Sequence, residues 1–244
     1  MAHGIYNAVS GAVAQTRLLD VVANNMANIS SVGFKADRAA FSEVLSQATK
    51  RGVPSAGSFV DTAEVRMDLR PGVLKPTGGK LDVALEGQGY LCLWDGKQEI
   101  YSRGGTLQIR PDGVLTENDG TPLLGINNRI LRPGPDAGEV NISEDGTVRA
   151  GDDVVGVLKL VEFRRPEALE RLGFTRLKAP VAAGGGRASS TRVRQGHLER
   201  ANVNPVIGMT SMILASRTYE ALHRVISTFS EIDSKTANTL GQER

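Results

Sequence analysis

The chain is poor in the residues from which reactive centres are usually built. Its one cysteine, Cys92, cannot close an intramolecular disulfide, and its place in an apolar strand pattern marks it as a small buried hydrophobe. The three histidines are scattered: His3 at a helix start, His197 just ahead of the last helix and His223 on that helix's polar side. With neither HExxH nor paired CxxC, no zinc site is expected. The Asp-Gly pairs lack the alternating Asp/Asn ligands and closing Glu of a calcium loop. Gly78-Gly79-Lys80 is not followed by Ser or Thr and lacks the earlier glycine of a phosphate loop, and no G-x-S-x-G occurs. The expectation is a protein that is not an enzyme, with no catalytic, cofactor-binding or metal-ligating residues and no cofactor.

Charge of one sign is also scarce. Lys and Arg number 29 against 27 Asp and Glu, interspersed, which argues against a nucleic-acid partner or a polybasic membrane anchor. Arg187, Arg192 and Arg194, flanked by Gly and Ser, read as a solvated loop. No apolar run reaches about eighteen residues, so no direct membrane insertion is expected. The first residues lack the charged, apolar and small-residue zones of a secretory leader, so any export is expected without a cleaved signal peptide.

What the chain does have is periodicity at both ends. Ile5, Val9, Ala12, Thr16, Leu19, Ala23 and Met26 alternate at spacings of four and three, and so do Gly208, Met212, Ala215, Tyr219, Leu222, Ile226 and Phe229. Each is a heptad stripe that seeks another helix. Asn204 suits the N-cap of the last helix and Pro205 its first position, where a missing N–H costs nothing. Full burial of Met212, Tyr219, Leu222, Ile226 and Phe229 would contribute roughly 8 to 15 kcal/mol. The pattern does not say whose helix each stripe meets: another subunit's, or the other terminus of the same chain in a self-paired hairpin.

The first helix is expected over residues 2–29, stopping at the Ser-Ser-Val-Gly stretch. Asn24, Asn25 and Asn28 disfavour a helix interior and suit polar register contacts to backbone or to a neighbouring chain. A short helix is expected over 36–48 with Ala40, Phe41, Val44 and Leu45 on one face, then an extended connector with strand residues near 59–65 and 72–74. From Leu81 the period becomes two. Short apolar runs at 81–85, 90–94, 100–101, 107–109, 121–124, 129–131, 140–142, 147–149 and 154–163 read as strands. Asp95-Gly96, Asp112-Gly113, Asp119-Gly120 and Asp145-Gly146 between them read as type I′ hairpin turns. A helical turn is expected within 164–171 and a flexible Gly-rich loop over 182–190. The fold class is α+β: an all-β antiparallel central domain (72–196) inserted between coiled-coil-forming helices at the N terminus (1–35) and C terminus (197–244), with 36–71 as short helix and connector.

Several stretches carry a resemblance. Val21-Val22-Ala23-Asn24-Asn25-Met26-Ala27-Asn28-Ile29-Ser30-Ser31-Val32-Gly33-Phe34-Lys35 with Arg38-Ala39-Ala40-Phe41 resembles the N-terminal signature of bacterial flagellar basal-body rod and hook proteins. Gln195-Gly196-His197-Leu198-Glu199-Arg200-Ala201-Asn202-Val203-Asn204-Pro205-Val206 is similar to the C-terminal signature of that family. Leu81-Asp82-Val83-Ala84-Leu85, Gly87-Gln88-Gly89-Tyr90, Tyr101-Ser102-Arg103-Gly104-Gly105 and Gly120-Thr121-Pro122-Leu123-Leu124-Gly125 resemble its β-domain motifs. The resemblance spans nearly the whole chain. Size and the opening His3-Gly4-Ile5-Tyr6 favour a proximal-rod member, with a distal-rod member as the alternative.

The resemblance implies a structural subunit of the basal-body rod, passed unfolded through the flagellar type III export apparatus. It implies partners among other rod and axial subunits, met in a helical, heterologous assembly that spans the periplasm and transmits torque from motor to hook. Its interaction residues are expected to be Ile5, Val9, Leu19, Asn24, Asn25, Met26 and Asn28 on the first helix and Met212, Tyr219, Leu222, Ile226 and Phe229 on the last. A soluble β-domain ligand-binding module with a self-paired helical hairpin is the rival of a different class.

Overall fold

A computed structural model of the chain describes residues 2–40, 43–45, 58–60, 64–135 and 138–242. They form two compact units: Met1–Ala27, Asp37–Met67 and Asn204–Arg244 in the first, Asn28–Ala36 and Asp68–Val203 in the second.

The first unit is built on helices α1 (Ala2–Ala27) and α2 (Pro205–Gln242). The start of α2 follows from its cap: Asn204 Oδ1 accepts from the backbone N–H groups of Val206 and Ile207 at 3.0 and 3.2 Å, and Pro205 needs no partner. Thirty-eight residues give α2 a length of about 57 Å. The two helices pack antiparallel in one register: Phe229 covers Gly4, Leu222 covers Gly11 and Met26 covers Gly208. A Cβ at these glycines would stand 3.1, 3.3 and 2.5 Å from the covering side chains, so each glycine is a notch that a large side chain fills.

A two-stranded antiparallel ribbon completes this unit. Asp37–Ala40 pairs with Glu64–Met67, and Glu43–Leu45 with Ser58–Val60. The short helix expected over 36–48 is therefore corrected at residues 37–40 and 43–45, which are strands; residues 41–42 and 46–48 lie outside the described residues. A short apolar run has no period long enough to decide between the two states, and here a partner some twenty residues on decides it. Asn25 contributes too, because its amide donates to Asp37 O and accepts from Asp37 N, both at 2.8 Å, engaging that backbone as a strand neighbour would.

In the second unit every strand pair is antiparallel. One four-stranded sheet runs in the order Leu115–Glu117, Gly104–Ile109, Asp82–Glu86, Arg192–Gln195. A six-stranded sheet runs Glu170–Leu172, Arg176–Lys178, Glu99–Ser102, Tyr90–Trp94, Leu160–Phe163, Gly185–Arg187. A third sheet joins Val140–Ile142, Thr147–Ala150 and Asp153–Val157. Val83, Leu85, Leu91, Leu93, Leu107, Leu115, Leu123, Val148, Leu158 and Val193 fill the core between them.

Two expectations change in this unit. The Asp-Gly turns fall between antiparallel neighbours as expected, but not as type I′ turns. Only the glycine takes positive φ, while the aspartate stays on the ordinary side and caps the turn with its carboxylate. Asp95 Oδ1 accepts from Lys97 N and Gln98 N, Asp119 Oδ1 from Thr121 N and Asp145 Oδ1 from Thr147 N. The stretch 182–190 is not a free loop: Gly185–Arg187 pairs with Leu160–Phe163, and Gly185 fits because a Cβ there would press on the Phe163 ring at 2.9 Å. Likewise Arg192 and Arg194 lie on a strand, where Arg194 pairs with Glu86 and Glu144 at 2.7 and 2.6 Å. The expected turn within 164–171 is a 3-10 helix at Pro166–Ala168.

Candidate functional site

Helical geometry separates the apolar residues of α2 into a paired line and an exposed set on its flank and far side. At about 100° per residue, Gly208, Met212, Ala215, Tyr219, Leu222, Ile226 and Phe229 share one line. Ala215 is buried there and the others are half-buried, while most other positions over 205–235 are exposed. This is the side on which Gly11 meets Leu222 and Gly4 meets Phe229. Val206 and Ile213 lie on the far side, and Ile207, Leu214 and Val225 on a flank about 100° from that line; all are exposed, Leu214 to 68%. In α1, Gly4, Ala8 and Gly11 share the line toward α2, while Tyr6, Val9 and Val13 stand exposed on the opposite side. Single exposed hydrophobes are ordinary; several of them along two helices make a candidate interaction surface.

The residues nominated on α2 thus stand together on one line. Those on α1 are dispersed. Ile5, Leu19 and Met26 are half-buried, Met26 against Gly208, whereas Val9 is exposed. Asn24 is exposed, Asn25 holds Asp37, and Asn28 is buried in the second unit with its Oδ1 accepting from the Ser31 hydroxyl at 3.3 Å. The line that meets α2 is rotated from the stripe read in the sequence because Gly4 and Gly11, which form it, carry no hydrophobic signal.

A second constellation lies wholly in the second unit, and charge patterning gave no hint of it. Glu199 is 1% exposed. Its Oε1 accepts from Lys35 Nζ at 2.6 Å and from Gly72 N at 2.8 Å, and its Oε2 accepts from Arg103 Nε at 2.9 Å. Arg103 also donates to the carbonyls of Gly89 and Leu85, and Lys35 to the Arg70 carbonyl. Glu199 O accepts from Gly33 N at 2.8 Å. Asn202 adds a parallel tie: its Oδ1 accepts from Ala36 N at 2.7 Å and its Nδ2 donates to Asp68 O at 2.7 Å. Gly72 is dictated by closeness, since a Cβ there would fall 1.9 Å from Arg200 O. Burial pulls the Lys35 ammonium below the ordinary lysine range, with the Glu199 carboxylate opposing it. Lys35, Arg103 and Glu199 are charged members of three of the motifs, but so are Arg38 and Arg200, and nothing in the motifs sets the three apart as a cluster.

Other polar groups are spent on each other. A cleft lined by Glu99, Tyr101, Lys159, Leu160 and Gly185 presents a carboxylate and an ammonium already joined as an ion pair. The Cys92 thiol is pushed up to about 12 by burial, so it stays protonated and unreactive. Among the described residues no cluster of His, Cys, Asp and Glu is suited to a metal ion, and no helix is long and apolar enough to cross a membrane.

Three family descriptions match the chain in order along it. "Flagella basal body rod protein" covers residues 5–35, "Flagellar hook protein FlgE/F/G D1 domain" residues 84–150, and "Flagellar basal body rod FlgEFG protein C-terminal" residues 194–240. The class is that of flagellar structural proteins with matching terminal segments around a β domain. Among full-length relatives, the flagellar basal-body rod protein FlgF of Salmonella typhimurium is 36% identical over 98% of both chains. That of Escherichia coli is 36% identical over 93% of this chain and 94% of its own, and FlgG of Agrobacterium fabrum is 34% identical over 96% and 97%. The chain belongs to the flagellar basal-body rod protein family and is FlgF-like. It is a structural, non-enzymatic subunit of the basal body that assembles with other rod components.

Proposed function

We propose that this chain is a proximal-rod subunit that joins the axial assembly through its terminal helices, as a coiled-coil layer. The observation that carries this reading is the second apolar side of the helix pair: with α1 and α2 already packed together, Tyr6, Val9 and Val13 on one and Val206, Ile207, Leu214 and Val225 on the other remain bare. Burying them against neighbouring subunits in a helical, heterologous contact, which repeats without closing, releases the free energy that one chain alone forfeits. Ile5, Leu19, Met212, Tyr219, Ile226 and Phe229 support that surface from within the pair, and Asn24 adds a polar group at the end of α1. A chain whose helices are completed by assembly suits passage unfolded through the flagellar type III export apparatus, without a cleaved leader, into a rod that spans the periplasm and transmits torque. Identity to FlgG relatives is nearly as high as to FlgF, so a distal-rod place is the second reading.

The test compares Leu214→Asp, on the bare side, with Leu222→Asp, on the paired side. Both are expected to block incorporation into rods while the β domain keeps its unfolding transition. Normal incorporation of Leu214→Asp would remove the outer side from the assembly surface and overturn the reading. A FlgF-deficient and a FlgG-deficient strain, each complemented with this chain, separate the two rod positions.

A further inference from the structure

We infer that the buried Lys35–Glu199–Arg103 network, with Asn202, is a register-setting device for the α1–α2 pair. A heptad seam is degenerate by construction. Sliding α2 by seven residues, about 10 Å, would set Gly11 opposite Phe229 in place of Leu222 and again fill a glycine notch with a large side chain. One glycine notch thus stays filled after the slip, and the heptad spacing alone does not fix the register.

The network supplies what the seam lacks. It joins the segment that follows α1 to the segment that precedes α2, through Gly33 N to Glu199 O at 2.8 Å, Lys35 Nζ to Glu199 Oε1 at 2.6 Å and Ala36 N to Asn202 Oδ1 at 2.7 Å. Only residues 28–32 lie between α1 and Gly33, and only 203–204 between Asn202 and α2. The first of these tethers is itself held, with Asn28 buried and Ser31 N donating to Asn28 O at 3.0 Å. A slip of one heptad would tear out either a tether or the network. Three charges that are 1–3% exposed are a costly way to add stability, because apolar residues of similar volume do as well or better; selecting one register is the use such groups serve best. The bearing of this device on rod assembly rests on the function proposed above, whereas the register itself does not.

Disulfide trapping in the purified full-length chain tests it without any rod. Met26→Cys with Gly208→Cys reports the register described, and Met26→Cys with Ala215→Cys reports a one-heptad slip. Cys92, buried with its thiol held protonated, does not interfere. In the parent only the first pair is expected to close under mild oxidation. In the background Lys35→Met, Arg103→Met, Glu199→Met, which keeps the volume and removes the charges, the ratio of native to slipped product is expected to fall at least about tenfold with the β domain still folded. Glu199→Gln, which strands two buried cations, is expected to shift it the same way. Exclusive closure of the native pair in the folded Met background would overturn the inference, and so would failure of both pairs to close in the parent. Normal trapping combined with failure to build rods would count against the functional reading alone.

Discussion

The two units handle apolar surface in opposite ways. In the second, Leu91, Leu93, Leu115 and Leu123 are fully enclosed, and charged side chains such as Glu199, Lys35 and Arg103 are buried only where they pair. In the first, each helix has one side packed and another side bare, with Val206, Ile207 and Leu214 more than half exposed. A core that closes on itself makes a folded body; a helix pair with a leftover apolar side keeps surface in water that a partner can cover. The difference is one of completeness: the β unit encloses its apolar core, and the helical unit leaves apolar surface that the proposed function assigns to neighbouring chains.

The largest expected effect separates the two units outright. Leu222→Asp should abolish incorporation into rods, while the thermal unfolding of the β unit, followed by near-ultraviolet circular dichroism, stays where it was. A shift in that transition would mean the units are not independent. Next in size, Leu93→Ala should cost the β unit about 2–5 kcal/mol in chemical denaturation, as large-to-small changes in a closed core do. Hydrogen exchange in α2 should change little, and equal loss of protection there would break the comparison. Smaller again, Asn204→Ala should cost about 1 kcal/mol of helix stability and be visible as faster exchange at the amides of Val206 and Ile207.

The smallest effect is a pH slope confined to the β unit. Burial holds the Glu117 carboxyl above the ordinary carboxylate range, against the opposing charge of Arg176. The native state therefore keeps this proton after the unfolded chain has lost it, so the associated stability is full at acid pH and is lost as pH rises through the raised value. Denaturation midpoints measured across mildly acid pH should show that decline in the parent and a flatter profile in Glu117→Gln.

Much of this was legible beforehand, and the reasons differ by element. The cap of α2 was readable because Asn204 and Pro205 act within one turn of the chain. Strands such as Tyr90–Trp94 and Val140–Ile142 were readable because alternation and Asp-Gly punctuation are local signals. The ribbon at 37–67 was not, since its strands are defined by a distant partner, nor was Gly185–Arg187, whose composition looks like a linker until Leu160–Phe163 binds it. The paired line of α2 follows the spacing read in the sequence, whereas that of α1 is turned toward Gly4 and Gly11, because a glycine notch is an absence in the sequence. The Glu199 network was hidden for the opposite reason: its members are ordinary surface residues by type, and only folding takes Lys35, Arg103 and Glu199 out of water together.

That network also bears on when the β unit can form. Its hub lies at residue 199, and the strand that closes the four-stranded sheet, Arg192–Gln195, pairs back to Asp82–Glu86 across more than a hundred residues of chain. A domain whose closing pieces come so late has a high contact order, and its folding is slow. If the chain is threaded through a narrow passage, as proposed above, the sheet cannot shut until both Asp82–Glu86 and Arg192–Gln195 are free. On that proposal the topology works as a clock, keeping the polypeptide threadable until both of these strands have arrived.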